Sequence, residues 1–391
     1  MITIPNDYLE VLKRRDFFIL SLVIFLGQLA SSFLILALIV SVFSKTGSNF
    51  GVSGVILSFT VPAFFMMAFA GVVADIFDRR KLILGANSLI TVVGFIILFK
   101  YQYVSASIPL AFLYFAGNSF FIPASSAATA QLVKKCQLLT ANSIFMFMIT
   151  SALILGFFLA SMVNFIFGIL TTLAVTNAIL VLAVVLSYLL PSLKPVRVNH
   201  PSVVKNIRSI ISGFTFIIRR RVILYFFLMF ALMQAITFFG VTLAPGFFNE
   251  VVGISIDKSP ILVFPLIGLG ILAGVGFINK PEMSEGFLVA LGLSIVGIAS
   301  TVLGLLIKFN IIVGNLLYFI PIYLFLIGFG TIITMIASRT MLQKEVPHAH
   351  LGIVFGANMI LVSFLSAFLS PFGAFIELLL GYINILIYGG L

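Results

Sequence analysis

Eleven long apolar stretches recur along the chain, at residues 17–43, 51–76, 82–100, 107–131, 138–162, 165–190, 222–248, 260–279, 286–307, 313–337 and 352–376. Each is near the ~20 residues that a helix needs to cross a hydrocarbon core of about 30 Å. In lipid every backbone amide must find its partner inside the segment or in a closed barrel, and these runs lack the alternation of barrel strands. Helices are therefore expected throughout, in an all-α integral membrane protein. The remaining 377–391 would rise about 22 Å as a helix, which makes it a short or incomplete twelfth span. The first run follows Lys13, Arg14 and Arg15, but it is longer than a signal-peptide core and shows no small-residue cleavage site.

A net charge of +11 on a chain with only 8% charged residues raises the question of what the excess base is for. Of the 22 Lys and Arg, alternating the loops across the membrane leaves only Lys45, Lys100, Lys258 and Lys308 on the far side, with the other 18 beside the N-terminus. That asymmetry is the positive-inside rule, and it places the N-terminus in the cytoplasm of a multi-pass protein of the inner or plasma membrane. The basic excess records topology and contact with anionic membrane lipids, so nucleic acid is not needed to explain it. The single cysteine, Cys136, falls in a cytoplasmic loop and leaves no role for disulfides.

The longest polar segment, 191–221, divides the chain near its middle. Within it Val203, Ile207, Ile210, Ile211, Phe214, Ile217 and Ile218 recur at helical spacing, which predicts an amphipathic helix on the membrane surface, serving as a tether. The expected organisation is an N-terminal six-helix bundle over 1–190, the linker at 191–221, and a C-terminal bundle of five to six helices over 222–391. Such halves suggest duplication, as in many secondary transporters. "GFINKPEMSEGFLVALGL" resembles "GVVADIFDRRKLILGANSL", and "LVKKCQLLTANS" echoes "LQKEVPHAHLGIV".

Five charges fill the seven positions from Asp75 to Lys81. With Gly71 they read GxxxDxxDRRK, which resembles the GxxxDRxGRR loop between helices two and three of the major facilitator superfamily. The match holds Gly71, Asp75 and the basic run Arg79, Arg80 and Lys81; it departs at Ile76, where the family has a base, and at Asp78, where it has glycine. The resemblance implies two pseudo-symmetric six-helix bundles. It also implies a cytoplasmic latch in which Asp75, paired with Arg79, sits against the start of helix eleven near Gly352. "FFIPASSAATAQLVKKCQLLTANSI" further resembles the bacterial efflux branch that includes macrolide exporters, the enterobactin exporter and the lysophospholipid transporter, through Phe121, Pro123, Ala124, Leu132, Val133, Leu138, Ala141 and Asn142.

Ionisable residues inside spans are normally functional, and here they are nearly absent. Glu377 alone sits close to a span interior, as an interface residue. The fifth span keeps only Gly156 of the antiporter GPxxGG pattern, with Phe157 in place of the proline, so protons as coupling ion rest on kinship. What remains is uncharged: Gln28, Ser31 and Ser32, Asn118 and Ser119, Asn142 and Thr150, Gln234 and Thr237, and Asn358. Each could serve helix-to-helix hydrogen bonding or line a cavity. The resemblance puts helices one, four, seven and ten around that cavity, which favours Gln28, Asn118 and Gln234. With 44 phenylalanines in the chain, an apolar or amphipathic small molecule suits such a cavity better than a sugar phosphate. The expected function is efflux of such a solute by alternating access, by a monomer without cofactor or metal. The rival readings are lysophospholipid translocation and a non-transporting membrane scaffold. No HExxH, HxxxxD, GxxxxGK or cysteine cluster occurs, so an enzyme is not expected.

Overall fold

The structure is a computed structural model, and it describes residues 6–134, 137–194, 214–278, 283–311 and 316–390. Runs of Leu, Ile, Phe, Val and Ala, in which each amide is satisfied four residues back, fold into α1 (Asn6–Leu12), α2 (Arg15–Thr46), α3 (Asn49–Ile76), α4 (Arg79–Lys100), α5 (Val104–Leu132) and α6 (Leu138–Tyr188). After the linker come α7 (Arg221–Gly246), a π-helical turn (Phe247–Val252), α8 (Ser259–Ile278), α9 (Glu285–Lys308), α10 (Leu316–Glu345) and α11 (His348–Gly390). No strand occurs among the described residues. Ten of these helices are long and apolar enough to cross a membrane. Their outward faces carry large apolar side chains such as Phe99 (76% exposed) and Leu272 (68%), a surface suited to lipid.

Two helices are too long for one crossing. With 51 residues α6 would rise about 77 Å, more than twice the hydrocarbon thickness. It is broken at Gly168, with φ 78 and ψ 177, so the fifth and sixth spans meet at one residue and not across the 163–164 gap expected from hydropathy. In α11 the same device recurs at Gly381, with φ 72 and ψ 162. The eleventh span thus extends beyond residue 376, and residues 382–390 form the short tail helix, with a rise of about 14 Å. Positive φ with extended ψ belongs to a region open essentially to glycine alone. The short α1, which the hydropathy does not signal, packs Val11 with Phe17, Ala141 and Ile144.

Contacts divide the chain into two units. One comprises Met1–Ser41 and Val61–Ile207, the other Val42–Thr60 and Arg208–Leu391. The boundaries differ from a simple cut at the linker, because α2 and α3 each carry residues of both units at their joined ends. Of the linker, residues 195–213 lie outside the described residues, and with them most of the expected amphipathic helix; 214–218 are helical.

In the first unit α4 packs on α5 and α6 around Leu20, Ile24, Ile83, Phe121 and Leu190. In the second α10 packs between α8 and α9, and α11 lies on α7, around Phe227, Leu288, Ile333 and Val354. Lipid removes the hydrophobic drive for helices to associate, and close packing of small residues replaces it. A Cβ on Gly330 would lie 2.6 Å from the Gly292 carbonyl, and Gly94 leaves room for Asn177 in the same way. The pairing of α4 with the sixth span through Gly94 is matched by the pairing of α9 with the tail helix through Gly304 and Ile387. The glycine breaks and these contacts together make a repeat that the sequence echoes only faintly.

Alanine at Gly168 or Gly381 forces a side chain into this region at a cost of about 1–3 kcal/mol. Each variant is expected to unfold at a lower temperature in detergent, whereas Gly85→Ala, where a Cβ meets nothing within 4 Å, is expected to match the parent.

Candidate functional site

The charged stretch 75–81 closes α3 and opens α4. Gly71 and Asp75 lie in the last turns of α3 and Gly352 in the first turns of α11, but the surroundings of all three are outside the described residues, so the expected latch partners are placed only by helix. The second half of the stretch is defined in detail. Asp78 is the N-cap of α4: its Oδ1 accepts the Arg80 amide at 2.9 Å and the Leu193 amide at 3.1 Å, and its Oδ2 accepts the Ser192 hydroxyl at 2.7 Å. The Arg79 amide donates to the Leu193 carbonyl at 3.1 Å. Burial pushes the Asp78 carboxyl up, but the bonds from Ser192, Leu193, Arg80 and Lys81 together outweigh it and hold the group below its ordinary value.

Arg80 serves the opposite helix end. Its Nη2 donates to the carbonyl of Tyr188, the last residue of α6, at 2.6 Å, and its guanidinium lies 5.4 Å from the Tyr188 ring centre. An anion at a helix start and a cation at a helix finish both complement the macrodipole. Arg14 does the same for α5 by donating to the Leu132 carbonyl at 3.3 Å. The Arg79 guanidinium is buried, and its Nε and Nη1 have no partner among the described residues. Lys81 is exposed. So Asp78 and Arg80 tie α4 to the end of the sixth span, within one unit. These partners lie more than 100 residues away, and no local spacing announces them.

The uncharged candidates divide by how their polar atoms are spent. Ser31 donates to the Gly27 carbonyl at 3.0 Å and meets the Tyr114 hydroxyl at 3.3 Å, a contact inside the first unit. Ser32 bonds the Gln28 carbonyl, and Gln28 itself is half-buried. Asn358 is fully buried and donates to the Phe227 carbonyl at 3.2 Å, which ties α11 to α7. Asn142 is exposed. Three of the candidates keep one buried amide atom without a hydrogen-bond partner among the described residues: Asn118 Oδ1, Gln234 Nε2 and the Oδ1 of Asn358. An unmet buried amide costs roughly 1–3 kcal/mol, so a group that stays unpaired is available to a ligand.

A further polar cluster, in the second unit, went unread in the sequence. Asn49 Nδ2 donates to the Tyr382 oxygen at 2.7 Å and to Glu377 Oε2 at 3.3 Å. Glu250, on the π-helical turn, lies within electrostatic reach of both Glu377 and Tyr382. The cluster depends on two glycines. Gly381 turns the chain just before Tyr382, and Gly246 leaves the space that the Tyr382 hydroxyl occupies. Among the described residues no group of three or more His, Cys, Asp or Glu is placed to hold a metal.

Comparison with known proteins adds three findings. Residues 20–371 match the family model described as Major Facilitator Superfamily. No curated protein matches the sequence. Among solved structures, similar chains include a POT family transporter in complex with 5-aminolevulinic acid (TM-score 0.74, 13% identity, 96% of this chain and 93% of that one). They also include the nucleoside transporter NupG (0.69, 14%, 96% and 96%) and a D-xylose-proton symporter (0.69, 15%, 96% and 96%). At these identities the likeness is one of fold.

Asp78→Ala removes the cap and is expected to cost about 1 kcal/mol, while Asp78→Asn, which keeps an acceptor for the amides, loses less. Because the folded carboxyl titrates below its ordinary value, its contribution is present above about pH 4 and is lost as the pH falls through the lowered value. The gap in unfolding temperature between parent and Asp78→Asn should therefore close on acidification; a gap constant from pH 7 to pH 3 would refute this role.

Proposed function

The chain belongs to the Major Facilitator Superfamily, and from that premise we propose that this membrane transporter exports a hydrophobic or amphipathic small molecule by alternating access. The observation that carries the reading is the chemistry of the span interiors. Acids and bases stand at the ends of the helices, and the candidate amide atoms left unpaired, Asn118 Oδ1, Gln234 Nε2 and Asn358 Oδ1, are neutral. A substrate with a fixed full charge would enter such an interior without a counter-ion, at a cost of several kcal/mol. A neutral or weakly amphipathic solute meets only amides, hydroxyls and aromatic faces. The nucleoside, peptide and sugar transporters that share the fold do not decide the substrate.

The inner or plasma membrane, with a cytoplasmic N-terminus, is the location that the 18 to 4 distribution of basic residues supports. A proton gradient is the proposed drive. Glu377 is the acid through which it acts, since its carboxylate contacts Asn49 and lies in electrostatic reach of a second acid, Glu250.

Uptake of ethidium, a macrolide and a fluorescent lysophospholipid into inside-out vesicles, with and without an imposed proton gradient, tests the reading. Gradient-driven accumulation of a drug, reduced at least tenfold in Gln234→Ala or Asn118→Ala and uncoupled from the gradient in Glu377→Gln, is the expected result. Movement of the lysophospholipid alone, indifferent to the gradient, would replace it with lipid translocation. No movement of any probe would favour a non-transporting role.

A further inference from the structure

In the first unit, α4 and α5 leave a groove of about 290 Å³ between them. It exists because the facing residues are small: Gly85 and Ala86 on α4, Ala116 and Gly117 on α5. Gly85 has nothing within 4 Å of where a Cβ would stand, so its position opens into the groove, whereas Gly117 is filled in by Leu89, whose side chain would lie 3.1 Å from a Cβ there. The lining is apolar except at one end, where Lys81 stands. Lys81 is exposed and no carboxylate pairs with it among the described residues. Arg80 beside it is already committed to the Tyr188 carbonyl.

From Lys81 to Leu89 the groove follows eight residues of helix, a rise of about 12 Å. An apolar trough of that length with a single ammonium at the level where the span begins has the polarity of one lipid: apolar inward, anionic at the rim. Its volume falls just under the roughly 300–1,000 Å³ of sites that enclose drug-sized ligands, and its open side faces the surroundings of the unit. We propose that the groove holds one acyl chain of an anionic glycerophospholipid from the leaflet on the Lys81 side, with the headgroup phosphate against the Lys81 ammonium. The groove selects charge through Lys81 and the chain through its glycine and alanine floor.

Native mass spectrometry of the full chain, purified in detergent and mixed with equal amounts of phosphatidylglycerol and phosphatidylcholine of one chain length, reads the preference directly. The parent is expected to retain phosphatidylglycerol over phosphatidylcholine. A basic residue near a charged membrane contributes about 1 kcal/mol, so Lys81→Ala should reduce that preference roughly fivefold. Lys81→Glu, at an exposed position that leaves the packing intact, should abolish it. Gly85→Leu should lower retention of both lipids by filling the trough, while Lys308→Ala, at the far end of another helix, should change neither. A parent without preference, a preference unchanged in Lys81→Ala and Lys81→Glu, or equal retention by a Gly85→Leu protein that unfolds at the parental temperature would each overturn the assignment.

Discussion

Hydrocarbon offers the backbone no hydrogen bonds, and this condition governs the rest of the molecule. It forces the spans into helices and confines unsatisfied amides and carbonyls to the helix ends. It also makes every departure from helical geometry at depth depend on a special residue. The described polar contacts of consequence follow that rule. Asp78 takes the amides at the start of α4, Arg80 the carbonyl at the end of α6, and Arg14 the carbonyl at the end of α5. The loop that opens α4 concentrates charge because two helix ends meet there and each needs a group of the opposite sign.

The same condition explains what could be read in the sequence. A span announces itself by some twenty consecutive apolar residues, so the eleven crossings and their approximate limits were legible. Where two spans join through a polar loop the boundary was legible too. At Gly168 and Gly381 it was not, because one residue in a glycine-only conformation makes the turn and the apolar run continues through it. A hydropathy reading places such a boundary by length alone, and at Gly168 it fell several residues early. The division of α2 and α3 between the two units was illegible for a related reason. Nothing in the composition of a continuous apolar helix says which of its neighbours it will touch.

The candidate site divides in the same way. The motif residues Gly71, Asp75 and Arg79 to Lys81 were found by local spacing, and Asp78 stood out only as a departure from the family pattern. Its part as cap and tie requires Ser192 and Leu193, 114 and 115 residues on. The Asn49 contact with Tyr382 spans 333 residues and joins a helix start to a tail helix. Only coordinates could pair them.

That cluster bears on how a chain with so apolar an interior could couple to an ion. Three interruptions of regular helix converge in the second unit: the π-helical turn after Gly246, the left-handed Gly253 that ends it, and the break at Gly381. π-Helical turns and strained glycines recur at functional sites because they expose backbone and re-aim side chains. Here they bring two carboxylates, a phenol and an amide together at the margin of the spans. A carboxylate deep in a span would need a permanent partner, and a group held by a permanent partner cannot release its proton at each cycle. One at the margin keeps access to water while an amide orients it. An uncharged interior is therefore compatible with ion coupling, provided that the titrating groups act at the rim and their effect reaches the interior through movement of the helices that carry them.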